Sequence, residues 1–175
     1  GEIIQFMGGQ CGIQIGMSLW SAVCKEHSIE PTGYYTGNNE EQLERLGVYF
    51  SEARETGIFL GVFCLTWILP VYKERLQVPM DVCFQSITYL QENMVPAILA
   101  EGHYTDGAER LDELMDITRR ETEECDSLQG FQLLHSIGGG TGSGMGILLI
   151  SHLREEYPDR MIQTVSVMPS PMVSD

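Results

Sequence analysis

The stretch IGGGTGSGMG, residues 137–146, decides how the chain is read, because six of its ten residues are glycine and both flanks are apolar. Before it runs LQGFQLLHSI (128–137), which reads as a buried strand. After it, Ser143 to Tyr157 carries apolar residues at helical spacing and stops ahead of Pro158. A flexible linker rarely joins a buried strand to an amphipathic helix so directly. A loop that leaves a parallel strand and enters a helix lies where open α/β sheets bind ligands. The first turn of such a helix has unpaired N–H groups and the positive end of the helix dipole. Glycine removes the Cβ, lets backbone come close to an anion and admits φ > 0. Thr141 and Ser143 add hydroxyl groups, so the chemistry fits a phosphate.

Three familiar loops fail on these residues. The phosphate loop G-x-x-x-x-G-K-[ST] needs a lysine where Met145 stands. The pattern G-x-G-x-x-G fits no register of 138–146, and the nucleophile elbow G-x-S-x-G fails because Thr141 stands two residues before Ser143. Kinase-like, dinucleotide-oxidoreductase and α/β-hydrolase readings lose their main support.

Working outward, a second glycine turn, GGQCGIQIG (8–16), follows the strand-like EIIQFM (2–7). Two such turns on one sheet edge would hold one nucleotide from two sides. A helix is expected from near Gln10 to Ser28, with Gln10 and Gln14 one turn apart and therefore on one face. Residues 30–41 read as loop, and LGVYFSEA (46–53) as a short strand. From Thr105 to Cys125 the spacing predicts a helix with Leu111, Leu114, Met115 and Thr118 on one face. MIQTVSVM (161–168) reads as a further strand. Strands alternating with helices imply an α/β fold: a Rossmann-like, mainly parallel sheet with helices on both faces.

Composition narrows the function. The 175 residues carry 25 acidic and 10 basic side chains, a formal charge of −15, which argues against nucleic acid or an anionic membrane as partner. An anionic ligand therefore needs local donors. The five cysteines are odd in number and form no C-x-x-C, so reduced thiols are expected, without a zinc site. The apolar run from Ile58 to Leu69 is too short to span a bilayer. The acidic residues Asp106, Glu109, Glu121, Glu123, Glu124 and Asp126 read as a solvated helix face, and His135 as a packed strand residue. No catalytic residue is assigned.

GGGTGSGMG (138–146) matches the tubulin signature, and GQCGIQIG (9–16) is similar to the family's N-terminal GQCGNQIG. QLERLGVYFSEA (42–53), GHYTDGAE (102–109), CDSLQGFQL (125–133), REEYPDR (154–160) and PSPMVSD (169–175) also resemble this family, and within it the β type. The resemblance implies the N-terminal part of a tubulin-type GTP-binding domain, residues 1–175 forming less than half of a subunit. It places Gln10, Cys11 and Gln14 in the first nucleotide loop, with Gln10 near the phosphates and magnesium and Gln14 near the guanine. It places Ser136, Gly138, Gly139, Gly140, Thr141, Gly142 and Ser143 around the phosphates of GTP or GDP. Val173 and Asp175 match the start of the ribose-contacting loop. Ile13 stands where the family has an asparagine that usually contacts the base, and isoleucine offers no hydrogen bond there. The family also implies Mg2+, an α-tubulin partner in a heterodimer, the microtubule lattice, and a place in the cytoplasm and cytoskeleton. It implies GTP hydrolysis with the water-activating acid supplied by the neighbouring subunit.

Residues 57–100 do not follow the family. An acidic VDLEPGT loop, which holds the magnesium through water, and a GAGNNWAKG loop, which donates N–H groups to the terminal phosphates, are both missing. A shifted reading frame or mis-spliced stretch is the expectation. Taking the third base of each codon with the next two, Trp67–Ile68 must read aspartate and Met94–Val95 must read glycine, close to where those loops are due. The coding DNA decides the point.

Overall fold

The computed structural model describes residues 2–30, 34–39, 43, 46–53, 58–61, 64–68, 89–91, 103–104 and 106–170. Among the described residues seven strands follow in chain order: β1 (Glu2–Met7), β2 (Phe50–Ala53), β3 (Ile58–Gly61), β4 (Cys64–Ile68), β5 (Tyr89–Gln91), β6 (Leu128–Ser136) and β7 (Met161–Val167). Three α-helices accompany them: α1 (Gly9–Glu26), α2 (Asp106–Glu124) and α3 (Gly146–Glu156). Five strands form one sheet in the order β5-β4-β1-β6-β7, and every pairing in it is parallel. β2 and β3 form a separate antiparallel pair.

Parallel strands covered on both faces are apolar nearly throughout, and β6 follows this rule with Phe131, Leu133 and Leu134 almost fully buried. Alternation then assigns the faces. Ile4, Phe6, Phe131 and Leu133 pack with Leu114 and Met115 of α2 and with Leu149 and Leu153 of α3. Each such side chain, fully buried, contributes about 1.5–3 kcal/mol of transfer free energy. Phe6 and Phe131 stack at 6.0 Å, and Tyr157 closes the cluster 5.2 Å from Phe131. Thr118 lies inside the same helix face and returns its hydroxyl to the Leu114 carbonyl. Outside, Arg119 of α2 donates to both oxygens of Glu156 of α3, at 2.6 and 2.9 Å, and to Asp116 at 2.6 Å.

The other face of the sheet meets α1. There Gln5, Gln132 and Gln163 stand in register across β1, β6 and β7. Trp20 Nε1 of α1 donates to Gln5 Oε1 at 2.5 Å, Gln5 Nε2 to Gln132 Oε1 at 2.7 Å, and Gln132 Nε2 to Gln163 Oε1 at 3.3 Å. Burying amides is costly unless each finds a partner, and this ladder supplies the partners. Trp20 also packs edge-on against Phe50, 5.5 Å away, in a second core with Cys24, Ile29 and Leu46. No helix among the described residues is long and apolar enough to cross a membrane.

Three local expectations change. LGVYFSEA begins as a 3-10 turn, Leu46–Val48, and only Phe50–Ala53 is strand. The loop at 30–41 includes an antiparallel bridge between Ile29 and Tyr35. The helix expected from Ser143 opens instead as a π turn, Thr141–Met145, and becomes α-helical at Gly146. A π turn holds one residue more than an α turn, and it widens the helix at the glycine-rich stretch. Of the divergent segment, Ile58–Gly61, Cys64–Ile68 and Tyr89–Gln91 are strands; residues 57, 62–63, 69–88 and 92–100 lie outside the described residues.

Candidate functional site

The two glycine turns meet. β1 and β6 are parallel neighbours, so the turns that leave their C-terminal ends emerge side by side. The Gly8 N–H donates to the Leu134 carbonyl at 2.8 Å, which carries the pairing to the last residue before α1. Gly9 has φ +69°, the left-handed region that favours glycine, and a Cβ on it would lie 3.2 Å from the Gly142 nitrogen. A Cβ on Gly142 would lie 2.9 Å from the Gly8 carbonyl oxygen. The role of glycine is therefore divided. The left-handed conformation is needed at Gly9, while Gly140 and Gly146 have ordinary helical angles. In 138–146 the absent side chains give close approach, and φ > 0 is used at none of the described positions.

Further along, α1 lies directly on the sheet. A Cβ on Gly12 would meet the Leu134 carbonyl oxygen at 2.2 Å, closer than any real contact. This contact seats the first turn of α1 beside the first turn of the 141–156 helix. Neither N-terminus has a side-chain cap, Gly8 and Gly140 standing at the cap positions, and neither first turn holds an acidic residue. In a chain of net charge −15, the positive ends of two helix dipoles are thus left uncompensated at one place. The site has the local donors that an anion requires.

The side chains fall as follows. Gln10 and Gln14 are both exposed on α1, one turn apart, and Cys11 between them is half-buried. Ser136 ends β6; Gly138 is exposed, Gly139 and Thr141 are half-buried, and Gly140 and Gly142 are buried. A Cβ on Gly139 would lie 3.4 Å from Ser136 Oγ, so these two residues face each other across the bend. Ser143 is 0% exposed, and its Oγ has no hydrogen-bond partner among the described residues. An orphaned buried hydroxyl costs about 1–3 kcal/mol, which an acceptor brought by a ligand would offset. Val173 and Asp175 lie outside the described residues. Ile13 is 4% exposed, so the departure from asparagine here is a side chain packed inward.

One residue at the site has more to do than its sequence position suggested. His135, read as a packed strand residue, is 5% exposed and hydrogen-bonded through both ring nitrogens. Among the described residues no group of three or more His, Cys, Asp or Glu side chains could hold a metal ion.

Comparison with known proteins agrees with this geometry. Residues 2–175 match the model of the Tubulin/FtsZ family, GTPase domain. A "Tubulin beta-8 chain" from Oryza sativa subsp. japonica is 49% identical over 176 residues, 99% of this chain. The chain spans 39% of that relative's length. Two glycine turns joined at Gly9 and Gly142, on a five-stranded parallel sheet, thus stand in a chain matched from β1 to its last residue: it belongs to the Tubulin/FtsZ family.

Proposed function

We propose that this chain binds a guanine nucleotide, GTP or GDP, and that it is a β-tubulin-like part of a cytoskeletal subunit. The observation that carries the reading is the junction of two uncapped helix N-termini at Gly9 and Gly142, beside the unpartnered Ser143 hydroxyl. Backbone N–H groups of the 141–145 turn and the hydroxyls of Thr141 and Ser143 donate to the phosphates. Gly138, Gly139, Gly140 and Gly142 keep side chains out of the way, with Ser136 at the strand end. Gln10, exposed on the first turn of α1, lies on the phosphate side and offers its amide oxygen toward Mg2+ carried by the nucleotide. Gln14, one turn further, reaches toward the base, with Cys11 between them. Val173 and Asp175 contribute to the ribose.

The wider assignment follows from kinship: an α-tubulin partner, a microtubule lattice, a cytoplasmic and cytoskeletal location, and hydrolysis completed by an acidic residue of the partner. This chain supplies no water-activating residue in that reading, and its own side chains bind and orient.

A second reading is favoured by the sequence between 57 and 100, where the VDLEPGT and GAGNNWAKG loops are missing. In it the chain is a truncated or defective tubulin, from a pseudogene or splice product. Two lost charge-assisted hydrogen bonds at about 1.5–3 kcal/mol each would weaken binding by two to four orders of magnitude, roughly. Titration of the purified chain with GTP and GDP, with and without Mg2+ and against ATP, decides between the two. Micromolar, Mg2+-dependent binding selective for guanine supports the first reading. A folded chain that binds neither nucleotide supports the second.

A further inference from the structure

His135 stands at the end of β6, one residue before Ser136, and joins the glycine-rich turn to β7. Its Nδ1 lies 2.9 Å from the Gly142 carbonyl oxygen, and its Nε2 lies 2.8 Å from Ser166 Oγ on β7. A carbonyl oxygen only accepts, so Nδ1 carries the proton, and in the neutral ring Nε2 accepts from the Ser166 hydroxyl. The ring also abuts the start of α3, where a Cβ on Gly146 would come within 3.4 Å of Nδ1. Gly142 is the residue that touches both glycine turns. The atom His135 holds is therefore the carbonyl of the loop's central peptide.

We propose that His135 is a positioning residue for the phosphate loop, and that Ser166 fixes the tautomer in which it works. The inference rests on the guanine-nucleotide reading above. By anchoring the Gly142 carbonyl from below, the imidazole fixes the peptide planes on either side of Gly142 and the aim of the N–H groups that follow. Ser166 adds a link to β7, whose exit at Pro169 lies 3.4 Å from where a Cβ on Gly138 would stand. Both ends of the glycine stretch are thereby referred to the same edge strand. Such supporting hydrogen bonds orient a binding group without touching the ligand.

The test combines three measurements on the whole chain: imidazole 15N NMR, amide hydrogen exchange at residues 142–145, and GDP titration. In the unliganded wild type the His135 ring is expected as the Nδ1–H tautomer. His135→Phe keeps a ring but no donor; exchange at 142–145 accelerates and the GDP Kd rises by about tenfold or more. His135→Asn places an amide N–H where Nδ1 was and recovers most of both losses, which a purely space-filling role would not produce. Ser166→Ala, a change on an edge strand, mixes the tautomers and raises Kd by roughly two- to fivefold. It decides the matter if the Phe variant does not fold. An Nε2–H ring in the wild type, or unchanged GDP affinity and loop exchange in the folded variants, overturns the inference. Failure of the wild type to bind any nucleotide overturns the functional reading instead, and the tautomer and exchange data still decide whether His135 holds the loop.

Discussion

Replacing Gly12 by alanine sets two physical effects against each other with opposite signs. Gly12 lies inside α1, where alanine exceeds glycine in helix propensity by about 1 kcal/mol, so local preference alone predicts stabilisation. The tertiary structure predicts the reverse. The new Cβ would stand 2.2 Å from the Leu134 carbonyl oxygen and 3.0 Å from its carbon, both backbone atoms of β6. Relief requires α1 to lift by about 1 Å, against the Trp20–Gln5 hydrogen bond and the packing of Trp20 on Phe50. Overpacking of this kind costs about 1–3 kcal/mol, and more when neither side can yield. With about 3 kcal/mol of clash less about 1 of propensity, the net is a loss near 2 kcal/mol, or roughly 4–8 °C in Tm for a chain of this size. Gly47 is the control: a Cβ there meets nothing within 4 Å, so Gly47→Ala should hold or raise Tm. Thermal melts followed by far-UV circular dichroism, with urea titration for the free energies, read both. A Gly12→Ala variant as stable as the wild type would show that α1 does not rest on the Leu134 carbonyl. The side-by-side seating of the two helix N-termini would then fall with it.

The polar ladder yields a second expectation: Gln5→Leu orphans Trp20 Nε1 and Gln132 Oε1, at about 1–3 kcal/mol each. Adding Gln132→Leu should cost less than its own single effect, and a strictly additive double-mutant cycle would show the amides to be independent. Glu121 is half-buried with one carboxylate oxygen lacking a partner among the described residues, and burial, reinforced by Glu124, raises its pKa from 4.5 to about 7. The native state then binds more protons than the unfolded state between those values, so stability falls as pH rises through that window. Solvent screening keeps the slope modest, and Glu121→Gln should flatten it; an unchanged profile by urea titration counts against the burial. The Cys125 thiol is pushed up to about 12, by burial first and then by Glu2 and Glu121. Mass spectrometry at pH 8 should therefore find it alkylated at least about tenfold more slowly in the folded chain than in urea, and equal rates would contradict its environment.

Much of this architecture was legible in the residues, for physical reasons that differ from element to element. β1 announced itself by alternation, β6 by an apolar run and β7 by a strand-like stretch ahead of prolines, and α2 by Leu114, Met115 and Thr118 on one face, these three now buried. The glycine turns were legible because dense glycine between a strand and a helix has few other uses. What escaped was set by contacts distant in sequence. Nothing local places β4 between β5 and β1, nor makes 141–145 a π turn. The partnership of Gln5 with Gln132 had a faint signal, an amide between apolar neighbours in each strand, but only the register joins them. His135 was visible as a residue of β6, and its bond to Gly142 depends on how the loop folds back over the strand end.

The position of β1 has a consequence for the chain as it is being made. It is synthesised before the other strands described, yet it lies in the middle of the sheet and its partner β6 comes much later. The Gln5–Gln132 bond alone spans 127 residues. At about 5–20 residues per second, that separation corresponds to roughly 6–25 s between the emergence of β1 and that of β6. Throughout that interval a strand carrying Ile4, Phe6 and Met7 has no permanent neighbour on its β6 side, and the glycine turn behind it lacks the Leu134 carbonyl against which Gly12 packs. The junction of the two glycine turns is thus complete only when residues 128–146 close over a strand made long before them.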